Sequence, residues 1–138
     1  MSENPPWLDA PENIEDYVGF IYLIQNTVTG RLYVGKKFFH SKKTLPPLKG
    51  KKNRRVKYVE SDWKTYWGSC KELLEDIKEL GYNNFSRIIL GCYKTKWECS
   101  YQEALYQMQE NVLFRDDYYN GIINIRLSKA PKNLRRRF

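Results

Sequence analysis

The chain has 138 residues, 41% of them apolar and 29% charged, a globular composition with material for one modest core. Its longest apolar stretch, Tyr17 to Ile24, has the length of a strand and falls well short of the ~20 residues that span a bilayer, so no membrane span is expected. The net charge of +8 is unevenly placed: residues 36–57 hold ten Lys or Arg and no acid, residues 126–138 hold six more, and the remainder carries 8 basic against 16 acidic residues.

Two basic blocks on an acidic body read as a footprint for a polyanion. An anionic membrane surface fits less well, because neither block is an amphipathic helix with a broad apolar face. In chain order, residues 1–16 form an N-terminal arm, interrupted by Pro5, Pro6 and Pro11 and expected to be loosely ordered. Tyr17 to Gln25 is rich in β-branched and aromatic residues and predicts a strand, Asn26 to Gly30 is turn chemistry, and Arg31 to Gly35 predicts a second strand, together a hairpin. Residues 36–60, with Pro46, Pro47, Gly50 and the run from Lys49 to Arg55, predict a long basic loop of the kind that carries function or mobility.

Ser69 with Glu72 three residues on is a capping-box signature, followed by the buried stripe Leu73, Leu74, Ile77 and Leu80 and a stop at Gly81. Phe85 to Tyr93 predicts a third strand. A second helix is expected over 96–113 with a core stripe of Trp97, Tyr101, Leu105, Met108 and Val112. Residues 122–125 predict a short strand or helix, and 126–138 a frayed basic tail. The order gives an α+β domain over 17–125: a small three-stranded, largely antiparallel sheet flanked by helices.

Three cysteines (Cys70, Cys92, Cys99) form no CxxC, and an odd count argues against a disulfide framework. The single histidine, His40, argues against a structural zinc site, and the N-terminus lacks the basic-then-apolar order of a signal peptide, so the expected compartment is the cytoplasm.

Phe20-Ile21-Tyr22, ten intervening residues, and Tyr33-Val34-Gly35 resemble the signature of the GIY-YIG nuclease family. The resemblance extends through Tyr66-Trp67-Gly68-Ser69, the helix to Ile77, and Gly81 to Phe85, which are similar to phage-type and homing-type members. Glu103 on a late helix and Asn120 after an aromatic pair match the family's last two functional positions, so that coverage runs over residues 17–124.

The resemblance implies a metal-dependent DNA endonuclease. Hydrolysing a phosphodiester calls for a base, a cation at the phosphate and help for the leaving oxygen. With an even turn, Tyr22 and Tyr33 lie directly across the hairpin. A phenol with pKa ~10 is a poor base, but the cationic neighbours Lys36, Lys37 and His40 would lower it. The family pattern implies that Tyr22 activates water with Tyr33 assisting, that Glu103 is the protein ligand of magnesium, with manganese as the alternative ion, and that Asn120 orients the phosphate or an ion-bound water. Glu98 and Glu110 are competing carboxylates that read as surface residues. His40 is expected to support the base or hold a phosphate oxygen.

The chain departs from the pattern at Phe20, where Gly19 comes one place early, and at Val34. The family's arginine position falls on Lys43, and lysine cannot make arginine's planar two-pronged contact. Arg54 is the preferred substitute, with Arg55 beside it. Lys36, Lys37, Lys43, Lys51, Lys52, Arg55, Arg135 and Arg136 are expected to meet the DNA backbone, with strong salt dependence and little sequence information. Trp63, Tyr66 and Trp67 could stack on bases, although a Trp pair ahead of a helix is more often core. No protein partner is implied; a homodimer on DNA or sequential nicking would account for a double-strand cut. The rival reading is a non-catalytic nucleic-acid-binding module on the same fold, which does not need Tyr22, Tyr33, Glu103 and Asn120 together.

Overall fold

A computed structural model describes residues 4–136. Strands β1 (Gly19–Asn26) and β2 (Leu32–Phe38) pair antiparallel as the first hairpin. Asn26 sets the turn: its side-chain oxygen accepts from the backbone N–H of Val28 at 3.0 Å and of Thr29 at 3.2 Å, and Gly30 takes φ +80°. An Asn folded back on its own backbone and a glycine in the left-handed region are the usual means of closing such a turn. β2 continues to Phe38 instead of stopping at Gly35, because its partner β1 is long enough to pair Gly19 with Phe38.

The basic segment is not a loop. β3 (His40–Leu45) and β4 (Arg55–Glu60) form a second antiparallel hairpin, a two-stranded ribbon whose tip spans 46–54. Its base is anchored by Phe39, fully buried against Phe20 and Trp63, and by the Ser61 N–H donating to the Phe39 carbonyl at 2.8 Å. Beyond that anchor both faces of the ribbon are largely exposed. The alternation His-Ser-Lys-Lys-Thr-Leu gave no apolar face by which to recognise a strand.

Helix α1 (Lys71–Leu80) follows, with Cys70 at its N-cap and no side-chain cap. The expected capping box of Ser69 and Glu72 does not form, since Ser69 lies one residue outside and Glu72 pairs with Arg31 at 3.0 Å. Leu73 and Ile77 are buried as expected, whereas Leu74 is exposed. Gly81 (φ +87°) ends the helix, its N–H donating to the Ile77 carbonyl. β5 (Phe85–Tyr93) occupies the expected residues and pairs antiparallel with β1, giving the order β2-β1-β5 with an irregularity between Ile21 and Tyr22.

Helix α2 (Lys96–Gln109) carries a side-chain N-cap that was not anticipated: the Thr95 hydroxyl accepts from the Glu98 N–H at 3.1 Å and donates to the Glu98 carboxylate at 3.0 Å. The helix stops short of Leu113, with Asn111 in the left-handed region (φ +56°) and a 3-10 turn at Val112–Phe114. The expected core stripe is rotated. Cys99, Ala104 and Gln107 face the sheet, while Tyr101 and Met108 are exposed. Trp97 and Tyr101 stack on each other at 5.1 Å, and Trp97 donates to the Ser128 carbonyl, so that apolar stripe receives the C-terminal segment instead of the core.

The sheet lies between two layers. On one face Phe20, Tyr22 and Ile24 meet α1 and the aromatics Trp7, Trp63, Trp67 and Phe85; on the other Val34 packs with Val112 and Tyr118 beside α2. Trp63 and Trp67 are thus core residues. The N-terminal arm is docked from Asn4 onward, the Asn4 side chain accepting from the Trp67 indole at 3.2 Å and Leu8 bridging to Ile88. Residues 122–125 form neither strand nor helix.

Arg87 ties the arm to the body. It is 1% exposed, sandwiched between the rings of Trp7 (4.4 Å) and Trp67 (4.1 Å), and donates to the carbonyls of Pro5 and Tyr66. Desolvation draws its pKa down to about 10, still charged at neutral pH. Arg87→Ala would leave two carbonyls unpaired and a hole between two indoles; a loss of roughly 3–5 kcal/mol is expected by denaturant unfolding.

Candidate active site

The hairpin register places the two tyrosines diagonally, not directly across. Tyr22 is opposite Gly35, and Tyr33 is opposite Ile24, so both phenols lie on the α1 face with ring centroids 6.2 Å apart. Six residues lie between the paired Gln25 and Leu32, an even count that keeps both tyrosines on one face, but the register is offset by two residues from the one that would set Tyr22 opposite Tyr33. Gly35 is required by this arrangement: a Cβ there would collide with the Tyr22 hydroxyl and sit 2.6 Å from Cζ. Gly68 (φ +88°) closes over the same ring pair, its hypothetical Cβ 3.2 Å from Tyr33 and 3.3 Å from the Tyr22 hydroxyl.

Burial pushes the Tyr22 phenol well above its ordinary value, and the neighbouring Tyr33 and Tyr66 add to the effect. This reverses the expected lowering by cations. Lys36 is turned to the opposite face, where Nζ donates to Ser100 Oγ at 2.7 Å, and Lys37 is neutralised by Asp62 at 2.7 Å while lying over the Tyr66 ring. Tyr33 is half-buried and raised by desolvation, with the Ser69 hydroxyl acting in the other direction.

The outer edge of β2 gathers the remaining groups. Leu32 is paired by backbone: its N–H donates to the Asp117 carbonyl, and its carbonyl accepts from the Tyr119 N–H, both at 2.7 Å. At Val34 the carboxamide of Asn120 replaces a strand, accepting from the Val34 N–H at 3.0 Å and donating to its carbonyl at 2.8 Å. Gln107, buried on α2, donates to the same carbonyl at 3.2 Å. At Lys36 the backbone N–H faces the Glu103 carboxylate.

Tyr33, Ser69, Cys70, Glu103, Gln107 and Asn120 therefore line one cleft, of about 320 Å³. Burial raises the Glu103 carboxyl, and the Lys36 ammonium and backbone amide hold that rise in check. A larger concavity of about 660 Å³ lies at the ribbon base, lined by Glu15, Asp16 and Glu60 together with Lys94 and Lys96, and none of the residues at the Glu103 cleft enters it. Tyr119 braces the cleft from behind, donating to Asp76 at 2.6 Å and accepting from Asn26 at 3.0 Å. Gln107 was missed by sequence reasoning; its one signal was a polar residue one turn beyond Glu103.

Other expected residues lie elsewhere. His40 sits at the ribbon base, 3.3 Å from Glu15, and Lys43 is on the exposed ribbon opposite Lys57. Lys51, Lys52 and Arg54 are at the ribbon tip, and Arg55 donates to the Pro46 carbonyl there. The ribbon carries all of them away from Glu103, which a loop need not have done. Arg135 and Arg136 lie beside Trp97 and Tyr101. Glu98 caps α2 and Glu110 accepts from the Tyr118 hydroxyl, so neither enters the cleft. Among the described residues no group of three or more His, Cys, Asp or Glu is placed to hold a metal ion.

A small antiparallel sheet between two helices, with paired phenols and one carboxylate at its edge, is the arrangement expected of a GIY-YIG domain. The family model described as "Putative endonuclease segE, GIY-YIG domain" matches residues 1–123, and the chain belongs to that family. Comparisons with curated proteins and with solved structures gave no match.

Because the Tyr22 pKa is raised in the folded state, its contribution to stability is complete below about pH 10 and is lost as pH rises through and beyond that value. Tyr22→Phe removes this contribution; a shallower alkaline fall in unfolding free energy than wild type is the expected result.

Proposed function

We propose that the chain is a metal-dependent endonuclease that hydrolyses DNA phosphodiesters at the cleft between β2, α1 and α2. The observation that carries this reading is the convergence of Tyr33 and Glu103 on one cleft, with Tyr22 directly behind Tyr33, in a chain of the segE-type GIY-YIG family.

Glu103 fits magnesium or manganese as the ion's protein ligand. It is the one carboxylate lining the cleft, and magnesium commonly keeps several waters and needs only one or two carboxylates plus substrate phosphate. When bound, the ion would stabilise charge on the leaving 3′ oxygen.

The chain's own residues supply the rest. Tyr33 presents its hydroxyl to the cleft, and Tyr22, held by Gly35 and Gly68, backs it; the proton of the attacking water is taken by this pair, with Tyr22 as the base. Burial keeps the phenol protonated, so it would act as a base only as the phenolate, once a cation held at the cleft has lowered its pKa and its own proton has passed to solvent. Lys36, whose ammonium acts on Glu103, takes the phosphate-neutralising part first expected of Arg54. Asn120 holds β2 in place, which makes it a positioning residue for Glu103 and Tyr33. The ribbon and Arg135 and Arg136 bind the duplex electrostatically. A single cleft cuts one strand, so a double-strand break would require a homodimer or two successive nicks.

The test is supercoiled plasmid with wild type and Glu103→Ala, each in magnesium or chelator. Magnesium-dependent nicking should fall in the variant by more than the ~10–100-fold that loss of an outer-shell partner costs, with DNA binding retained. Salt-sensitive binding without cleavage in either metal would sink the catalytic reading and leave a binding module.

The pH dependence provides a second check. Ion binding needs the Glu103 carboxylate, and its pKa is raised by burial. The nicking rate at fixed magnesium should therefore fall on acidification with a midpoint above the ordinary glutamate range near ~4.3. Raising magnesium should move that midpoint toward lower pH.

A further inference from the structure

Residues 40–60 have no part in the cleft, yet they form the most heavily charged feature of the molecule. Antiparallel pairing sorts their side chains onto two faces. Ser41, Lys43, Leu45, Arg55, Lys57 and Val59 share one; His40, Lys42, Thr44, Val56, Tyr58 and Glu60 share the other. On the first face Lys43 is directly opposite Lys57, with Arg55 two residues away on the same strand. Like charges placed opposite one another destabilise a ribbon. Among the described residues no salt bridge reaches any cation from Lys42 to Lys57. The ribbon thus keeps an unneutralised cationic face on a hairpin whose strands pack on each other and project from the body.

We propose that this ribbon is a sequence-reading element that enters the major groove of duplex DNA with the Lys43, Arg55 and Lys57 face toward the base edges. The inference rests on DNA being the substrate and goes beyond backbone binding. Its dimensions suit the role. Each six-residue strand extends about 20 Å, and the two strands lie about 5 Å apart. The major groove, about 12 Å wide, admits such a ribbon, whereas the minor groove, about 6 Å wide, does not. The chemistry of the face selects the base. Lys and Arg only donate hydrogen bonds, and guanine presents two acceptors, O6 and N7, on its major-groove edge. The surrounding Ser41, Leu45 and Val59 carry no carboxylate that would favour cytosine. The tip cations Lys49, Lys51, Lys52 and Arg54 are left to meet the flanking phosphates.

The test measures binding by the full chain in metal-free buffer, first to a randomised duplex pool and then to the enriched duplex with guanine replaced by 7-deazaguanine. That replacement removes N7 and leaves the backbone and the minor groove unchanged. Wild type should enrich guanine-containing sites and lose at least about fivefold in affinity on the substituted duplex. Lys43→Thr with Arg55→Gln and Lys57→Thr, shown to be folded by circular dichroism and thermal midpoint, should bind both duplexes alike. Arg135→Gln with Arg136→Gln should weaken both equally and keep the difference between them. A wild type indifferent to 7-deazaguanine, a Lys43/Arg55/Lys57 triple variant that still discriminates, or no binding to any duplex at moderate salt would overturn the proposal. Plasmid nicking in magnesium, run in parallel, separates the two readings. Nicking without a 7-deazaguanine effect removes the groove reading alone, and a 7-deazaguanine effect without nicking removes the endonuclease reading alone.

Discussion

A sheet edge is a row of unpaired donors and acceptors, and the satisfaction of the β2 edge organises this molecule. At successive outward-facing positions the edge is met by the backbone of residues 117 and 119, by the Asn120 carboxamide, and by the Glu103 carboxylate facing the Lys36 amide. Backbone thus gives way to side chains just where the chain turns away. The change opens a gap beside β2, and that gap is the cleft. The same hydrogen bonds that protect the sheet bring a carboxylate from α2, an amide from the C-terminal segment and a tyrosine from β2 to one place.

The hairpin register is the second constraint. Tyr22 can occupy its position only because glycine stands across the ladder, with a second glycine closing over the ring. The result is a buried phenol cluster in which desolvation dominates, so Tyr22 is held neutral at rest. The acidic body and cationic ribbon divide the labour: Glu103 is the carboxylate among the described cleft residues, and eight of the 24 Lys and Arg stand on a hairpin away from it. Separation of this kind lets polyanion binding proceed without ion-pairing Glu103 to an arginine.

Much of the fold was legible in the chain because its signals were local. The Asn26–Gly30 turn, the apolar strands β1 and β5, and the glycine stop of α1 follow from residues close in sequence. The ribbon was not legible, since a strand exposed on both faces lacks the alternation that marks half-buried strands. The face of α2 was misassigned for a related reason. Its largest apolar residues, Trp97 and Tyr101, receive the C-terminal segment, whereas the sheet accepts the smaller Cys99 and Ala104 together with Gln107. Hydrophobicity shows that a helix has a buried side, but not which neighbour covers it.

The candidate site divides along the same line. By itself the sequence determined the residue types, the first hairpin, the β5 strand, the two helices and the segregation of charge, because these depend on composition and short-range spacing. Tertiary structure alone decided that Tyr22 and Tyr33 are diagonal and buried, and that Glu103 faces the sheet beside Lys36. It also decided that Asn120 takes the place of a strand, and that His40 and Arg54 stand apart from the cleft. Each of these rests on register or on the packing of segments distant in the chain, where one residue of shift turns a side chain to the opposite face.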